Sequence, residues 1–357
     1  MAKDYSEDLR IPGNHSAIII LGMGPQALFL ARTYTKHYET VYLVGSKNWI
    51  GYLSRFGKKI ISDESGRIKI VDKLISKHGF ETPIIISGGS DLRYYLEESF
   101  MHSYNVYPKP LKHLNVLNDK STLYNYVETK NYKINLLESW PFVVKTRDYD
   151  FPLILKWSRD HKEKPFKALI IQGKEELNEL FNKYGQFSDY LILQKLVEKK
   201  KSLSFACFSL DGIIKKKVFV EQVRQYPPGL SNVVKPYNGE HIQSIAQFSI
   251  ELIKNLNYTG YIEFEFIEDL EAKKIYLLEC NPRPWGWIDY LKYDNDSTDN
   301  AAMVNITRDL YYLLKFEKRK FYGNLIRKAW KYLNYNKTIW SIDDPLPFIG
   351  QLLNIRK

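Results

Sequence analysis

The segment at residues 260–287 constrains this chain more than any other. It reads GYIEFEFIEDLEAKKIYLLECNPRPWGW, two strand-like runs with acids where a packed hairpin calls for apolar side chains. Side chains alternate along a strand, so Tyr261, Glu263 and Glu265 share one face of the first run, and Leu277, Glu279 and Asn281 one face of the second. A hairpin symmetric about Glu271 sets Glu263 opposite Glu279. Facing carboxylates repel, and Ile275 and Leu277 beside them would desolvate both, so a cation is expected between them. Glu263, Glu279 and Asn281 offer the oxygen ligands that magnesium takes, with its other positions left for water and phosphate. Arg283, two residues beyond Asn281 and stiffened by Pro282 and Pro284, projects to the same side with a planar fork suited to a phosphoryl group. Cys280, Trp285 and Trp287 argue for burial of this end over a solvated surface hairpin.

The rest of the chain supplies a frame for that hairpin. Residues 16–21 form a β-branched run, followed by Gly22-Met23-Gly24-Pro25 and a helical pattern over 26–38; further runs at 41–44 and 83–87 precede turn residues. A small parallel α/β domain is implied. Gly22, Gly24 and Ala27 match a dinucleotide-binding spacing, but the second run ends Leu43-Val44-Gly45-Ser46 without the acid that holds a ribose, so tight strand-to-helix packing is the favoured reading. From residue 118 the pattern changes: a helix over 122–130, an extended stretch at 140–145, strands at 152–156, 190–197, 203–210 and 213–220, and a helix over 239–256. Asp211-Gly212 is the turn between two of these strands.

Cys207 and Cys280 lack any partner spacing, which suggests neither a disulfide framework nor a zinc site and fits a reducing cytoplasm. No secretory signal is read in the charged first ten residues, and no apolar run nears the ~20 residues that span a bilayer. The net charge of +11 leaves nucleic acid, anionic lipid and acidic substrates open, with solvated surface lysines the plainer source of the excess.

Glu279-Cys280-Asn281-Pro282-Arg283, with an acid-bearing strand upstream, resembles the metal-binding end of the ATP-grasp superfamily. Asp119-Lys120 is similar to that family's Asp-Lys before a linking helix, and Phe151 to Lys156 to the strand whose lysine reaches the nucleotide phosphates. Lys167 would add a further phosphate contact. The run from Leu191 to Glu198 resembles the hinge between the grasping lobes: backbone groups of Lys195 and Val197 would meet the adenine edge, the Gln194 side chain its amino group, and Glu198 the ribose. The resemblance implies an N-terminal Rossmann-like domain over 1–117, then a two-lobed ATP-grasp fold with a small lobe over 118–200 and a metal-bearing lobe over 201–315, and a helical extension over 316–357.

The chain departs from the family at two points. Residues 157–166, where a glycine-rich phosphate lid often stands, contain no glycine, and Pro284-Trp285-Gly286-Trp287 replaces the sequence that follows in biotin carboxylases. The resemblance is to carboxylate-amine ligases related to the carbamoyl-phosphate synthase large chain, including members associated with bacterial surface polysaccharide synthesis; Asp344-Pro345-Leu346-Pro347 also looks like that branch. It implies ATP with magnesium, or manganese in its place, small-molecule carboxylate and amine substrates, and an acyl-phosphate intermediate. Arg283 and Arg224 are the candidate oxyanion partners, and Gly229 would let its loop approach closely. Three other readings remain: a nucleotide-binding protein without turnover, a nicotinamide-dependent enzyme using Gly22 and Gly24, and a nucleic-acid binder. The aromatic-basic stretch at 315–337 reads as a helix packed over the lobe, with an interfacial helix on anionic lipid as the alternative.

Overall fold

A computed structural model describes residues 5–97, 102–143, 148–226, 229–293, 302–316 and 335–353. Its first sheet is parallel and ordered β3-β2-β1-β4-β5, from β1 (Ala17–Leu21), β2 (Thr40–Gly45), β3 (Lys58–Ile61), β4 (Ile84–Ile86) and β5 (Val106–Tyr107). The helices α1 (Pro25–Tyr34), α2 (Arg67–His78) and α3 (Gly89–Glu97) alternate with these strands. The central strand is apolar throughout and buried on both faces, as a helix-covered parallel sheet requires. Gly22 follows it at φ +114, where a Cβ would overlap Ser87 Oγ, and its N–H donates to Val44 O at 2.8 Å. The glycine is thus demanded by the close approach of β1, β2 and the turn after β4.

After α4 (Leu111–Leu117), Asp119 caps α5 (Lys120–Thr129) by accepting from the N–H groups of Ser121 and Thr122, a cap worth about 1 kcal/mol. A four-stranded antiparallel sheet follows, ordered β7 (Ser139–Pro141), β10 (Leu191–Lys195), β8 (Leu153–Trp157), β9 (Ala168–Ile171). It packs with α6 (Lys174–Tyr184) around Phe142, Leu155, Trp157 and Leu193.

The largest sheet has eight strands. Its centre is β11 (Lys199–Leu210) between β12 (Ile213–Gln225) and β14 (Gly260–Asp269); β13 (Ser231–Pro236) lies outside β12, and β15 (Ile275–Asn281) outside β14, edged by β6 (Asn135–Leu136). The tight turn between β11 and β12 uses Asp211 and Gly212 at φ +49 and +75, the conformation that a two-residue hairpin needs. One face of the sheet buries Phe205, Phe264 and Phe266 under Phe248 of α7 (Ile242–Asn255). The opposite face packs Ala206, Phe208 and Tyr261 against Trp285, Trp287 and the α1 side of the first sheet.

The chain closes with β16 (Met303–Val304), α8 (Ile306–Phe316), β17 (Asn336–Lys337) and α9 (Leu346–Leu352). Asp344 returns to α1 and the segment before β3, where its carboxylate accepts from Arg32 Nε at 3.0 Å, Ser54 Oγ at 2.7 Å and Arg55 N at 2.9 Å. Most of the aromatic-basic stretch, residues 317–334, lies outside the described residues, and with it both readings of that stretch.

Candidate active site

The hairpin of β14 and β15 pairs Glu265 with Glu279 and Glu263 with Asn281. This corrects the expected register, in which Glu263 faced Glu279. The physical reason lies in the turn. Asp269 Oδ1 accepts from the N–H groups of Glu271 and Ala272, Asp269 N donates to Lys274 O at 3.0 Å, and Lys273 takes φ +53. These contacts centre the pairs beside the turn, from Glu268–Ile275 to Phe266–Leu277, between Glu271 and Ala272; the bulge after Glu265 carries the centre on to Ala272, and together the two shifts move the partner of Glu279 by two residues. Glu265 is the residue that the sequence reading left out of the site. Its signal was present, because it shares a face with Glu263.

Asn281 Nδ2 donates to Glu265 Oε1 at 3.1 Å and lies 3.4 Å from Glu263 Oε2, while its Oδ1 accepts from Arg283 Nη2 at 3.2 Å. Glu263 is almost fully buried and already engaged, accepting from Ser204 Oγ and Trp287 Nε1 at 3.1 Å each. Burial raises the Glu263 carboxyl to about 7. Burial, and then the charge of Glu279, hold Glu265 well above the usual carboxylate range. Glu279 is also desolvated, but Lys120, Lys156 and Lys167 outweigh that and hold it at about 2. Two facing carboxyls, one ionised and one held neutral by burial and by the other, offer hard oxygen donors that fit magnesium or manganese.

Three lysines face this pair from other elements. Lys120, the first residue of α5, places Nζ 2.8 Å from Glu279 Oε2. Lys156 on β8 is held at about 7 by desolvation and then by the charge of Lys120. Lys167, just before β9, is also lowered by burial and feels both Glu279 and Glu265. It lies against Gly229, whose φ is +77 and where any Cβ would overlap Lys167 Nζ, so the close approach expected of that glycine is real and its partner is a lysine.

At the end of β10, Gln194 is fully buried. Its Nε2 donates to Ser139 Oγ at 2.8 Å, while its Oε1 has no partner among the described residues. Lys195 N donates to Glu138 O at 2.9 Å. Val197 is partly buried against the main core, and Glu198 is exposed. Arg283 donates to Pro284 O at 2.9 Å and lies over the start of α3, with a Cβ at Gly89 only 3.5 Å from its Nε. Arg224 is placed differently: its guanidinium pairs with buried Asp309 of α8 at 2.5 Å and lies over the Tyr312 ring.

The glycine-free segment after β8 is built as a braced wall. His161 stacks on Trp157 at 5.6 Å between ring centroids, Asp160 lies 3.7 Å from Arg93 of α3, and Arg159 covers Tyr190. Side chains from the four-stranded sheet and from the start of α5 thus converge on one acidic pair of the eight-stranded sheet.

The lowered Lys156 gives a pH signature. A polyphosphate binds the charged amine better, so affinity for magnesium-free ADP should be level below pH 7 and fall above it, by up to about tenfold per pH unit. Ionisation of Glu263 near pH 7 acts in the same direction. Calorimetric titration at pH 6 and pH 8.5 should show the drop, and Lys156→Arg, which stays charged, should flatten it to the carboxylate share. An unchanged slope in that variant would remove Lys156 from the phosphate site.

No protein-family model and no curated protein matches the sequence. Solved structures do match in shape. An N5-carboxyaminoimidazole synthetase from Staphylococcus aureus, complexed with ADP, superposes with a TM-score of 0.59 at 18% identity over 78% of this chain and 74% of the other. The ADP complex of an N5-carboxyaminoimidazole ribonucleotide synthetase gives 0.62 at 14% identity over 87% of each chain. An L-amino acid ligase from Bacillus licheniformis gives 0.57 at 10% identity over 76% and 68%. At these identities the likeness is one of fold.

Proposed function

Because this chain has the ATP-grasp fold, we propose that it is an ATP-dependent ligase that joins a carboxylate to an amine through an acyl-phosphate. The observation that carries the reading is the convergence of Lys120, Lys156 and Lys167 on the Glu265–Glu279 pair. ATP would lie between the four-stranded and eight-stranded sheets. Buried Gln194 Oε1 offers an acceptor to the adenine amino group, the carbonyl of Lys195 and the N–H of Val197 its ring edge, and the Glu198 carboxylate the ribose. Glu265, Glu279 and Asn281 would hold magnesium or manganese, which when bound screens phosphate charge.

The three lysines position the triphosphate and offset its negative charge. The substrate carboxylate attacks the γ-phosphorus, the bond to the β-phosphate oxygen breaks, and ADP departs. The amine then attacks the acyl carbon, the phosphate leaves with the bonding pair, and the amine gives up a proton. Arg283, beside Asn281 and the start of α3, is the group for the tetrahedral oxyanion. Arg224 serves at one remove, because Asp309 already neutralises it. A place in surface-polysaccharide or cell-envelope synthesis is the pathway that the resemblance in sequence favours. Among the described residues no helix is long and apolar enough to cross a membrane.

A screen of purified protein with Mg-ATP and pooled amino acids, sugar acids and amines tests the proposal. ADP should form only when a carboxylate and an amine are both present. Tight nucleotide binding without ADP across the panel would turn the reading to a non-catalytic nucleotide binder, and stabilisation by NAD but not by Mg-ATP would turn it to a nicotinamide enzyme.

A further inference from the structure

We infer that Glu240, His241 and Glu268 form a metal site, separate from the acidic pair of the hairpin, that takes a zinc-type divalent ion and pins the start of α7 to the end of β14. Alternation along β14 turns Phe264, Phe266 and Glu268 to one face, the face that Phe248 of α7 covers. Glu265 belongs to the other face, so the two carboxylates serve different sides of the sheet. Glu268 is 1% exposed, a carboxylate buried at the end of an apolar row. His241 is the residue before α7, and Glu240 precedes it. The ligand atoms of the three all lie within 4.8 Å of one another.

The histidine separates this group from a mere cluster of acids. Its Nε2 stands 3.8 Å from Glu240 Oε1 and 3.9 Å from Glu268 Oε1, beyond hydrogen-bond length from either. The nitrogen is buried and has no hydrogen-bond partner among the described residues. A buried ring nitrogen set between two carboxylate oxygens, and bonded to neither, is placed as a ligand is. Ligands about 2.0–2.2 Å from a tetrahedral zinc lie about 3.4 Å apart, so the three atoms have only a short way to draw in. Glu240, whose side chain is exposed, has the freedom to close that gap. One imidazole with two carboxylates suits zinc better than it suits a hard ion such as magnesium.

The place is already marked by a cation. β11 bulges at Lys200, so that Lys199 pairs with Asp269 and Lys201 with Glu268. Lys200 Nζ lies 2.6 Å from Glu268 Oε1, and Lys201 Nζ 4.0 Å from Oε2. The bond to Glu268 raises the Lys200 amine above its usual value, and the charges of Glu268 and Glu240 add to this. The Lys200 side chain is partly exposed and long enough to swing into water, so it is a counter-ion that a divalent ion displaces.

Zinc is the probe, titrated by calorimetry into the full chain, without an affinity tag and in excess magnesium. The wild-type chain should bind zinc and melt at a higher temperature with it than without. His241→Asn, which keeps a capping side chain, and Glu268→Gln should each weaken binding about tenfold or more and remove the thermal shift. Lys200→Met, which removes the competing amine, should tighten binding several-fold, an effect that a folding defect does not produce. Glu279→Gln should leave the event in place, because that acid belongs to the hairpin pair. No zinc binding by the wild-type chain, full-strength binding by His241→Asn, no tightening in Lys200→Met, or binding lost in Glu279→Gln would each overturn the inference.

Discussion

Replacing Glu279 with glutamine, or Lys156 with alanine, is expected to lower substrate-dependent ADP release about 10²- to 10³-fold without unfolding the protein. Glu279 is the ionised member of the hairpin pair and the acid to which Lys120 is bonded at 2.8 Å. Glutamine keeps its shape but removes the charge around which the three lysines are arranged. Steady-state ADP release, with circular dichroism as the check on folding, measures the effect; activity retained in both variants would remove these residues from the chemistry. The sharper comparison is between the two remaining acids. Glu265 stands across from Glu279, whereas the Glu263 carboxylate is already held by Ser204 and Trp287. Glu265→Gln should therefore cost as much as Glu279→Gln, and Glu263→Gln distinctly less. The reverse order would mean that the register seen across the hairpin does not govern which carboxylates meet the cation.

How much of this was legible in sequence follows from the range of each interaction. The acids of the hairpin, Asn281 and Arg283 stood out because alternation along a strand is a local property, and charge at a core position is conspicuous. Which acids face one another was not legible, because register depends on the turn. There Asp269 binds two backbone N–H groups, and this turn together with the bulge after Glu265 displaces the centre by one residue from the midpoint assumed. Arg224 shows a second limit. A lone arginine on a strand reads as available, and its neutralising partner Asp309 lies on a helix 85 residues away in sequence. The glycine-free segment could be seen to lack a flexible lid, but its bracing by Arg93 joins α3 to the loop after β8 and exists only in three dimensions.

Asp344→Ala is expected to destabilise the protein by about 3–5 kcal/mol, because it strips one partner from a buried ion pair and strands the other. Arg32 is the stranded group. Its side chain is 8% exposed, and besides the Asp344 carboxylate it donates to the carbonyl oxygens of Ile339 and Asp344 at 3.0 Å each. Ser54 Oγ and Arg55 N lose an acceptor in the same substitution. The damage is therefore to the seam between the C-terminal segment and α1, and the active-site hairpin is untouched. Thermal denaturation should show a melting temperature lower by on the order of 10 °C. Asp344→Asn retains acceptor capacity but not charge and should fall between the two. The decisive comparison is Arg32→Met combined with Asp344→Leu. If an uncompensated charge is the main cost, the pair of apolar residues should recover much of the loss. If the double variant is as unstable as Asp344→Ala, the seam is held by the hydrogen bonds to Ser54, Arg55 and Ile339, and the ion pair contributes little.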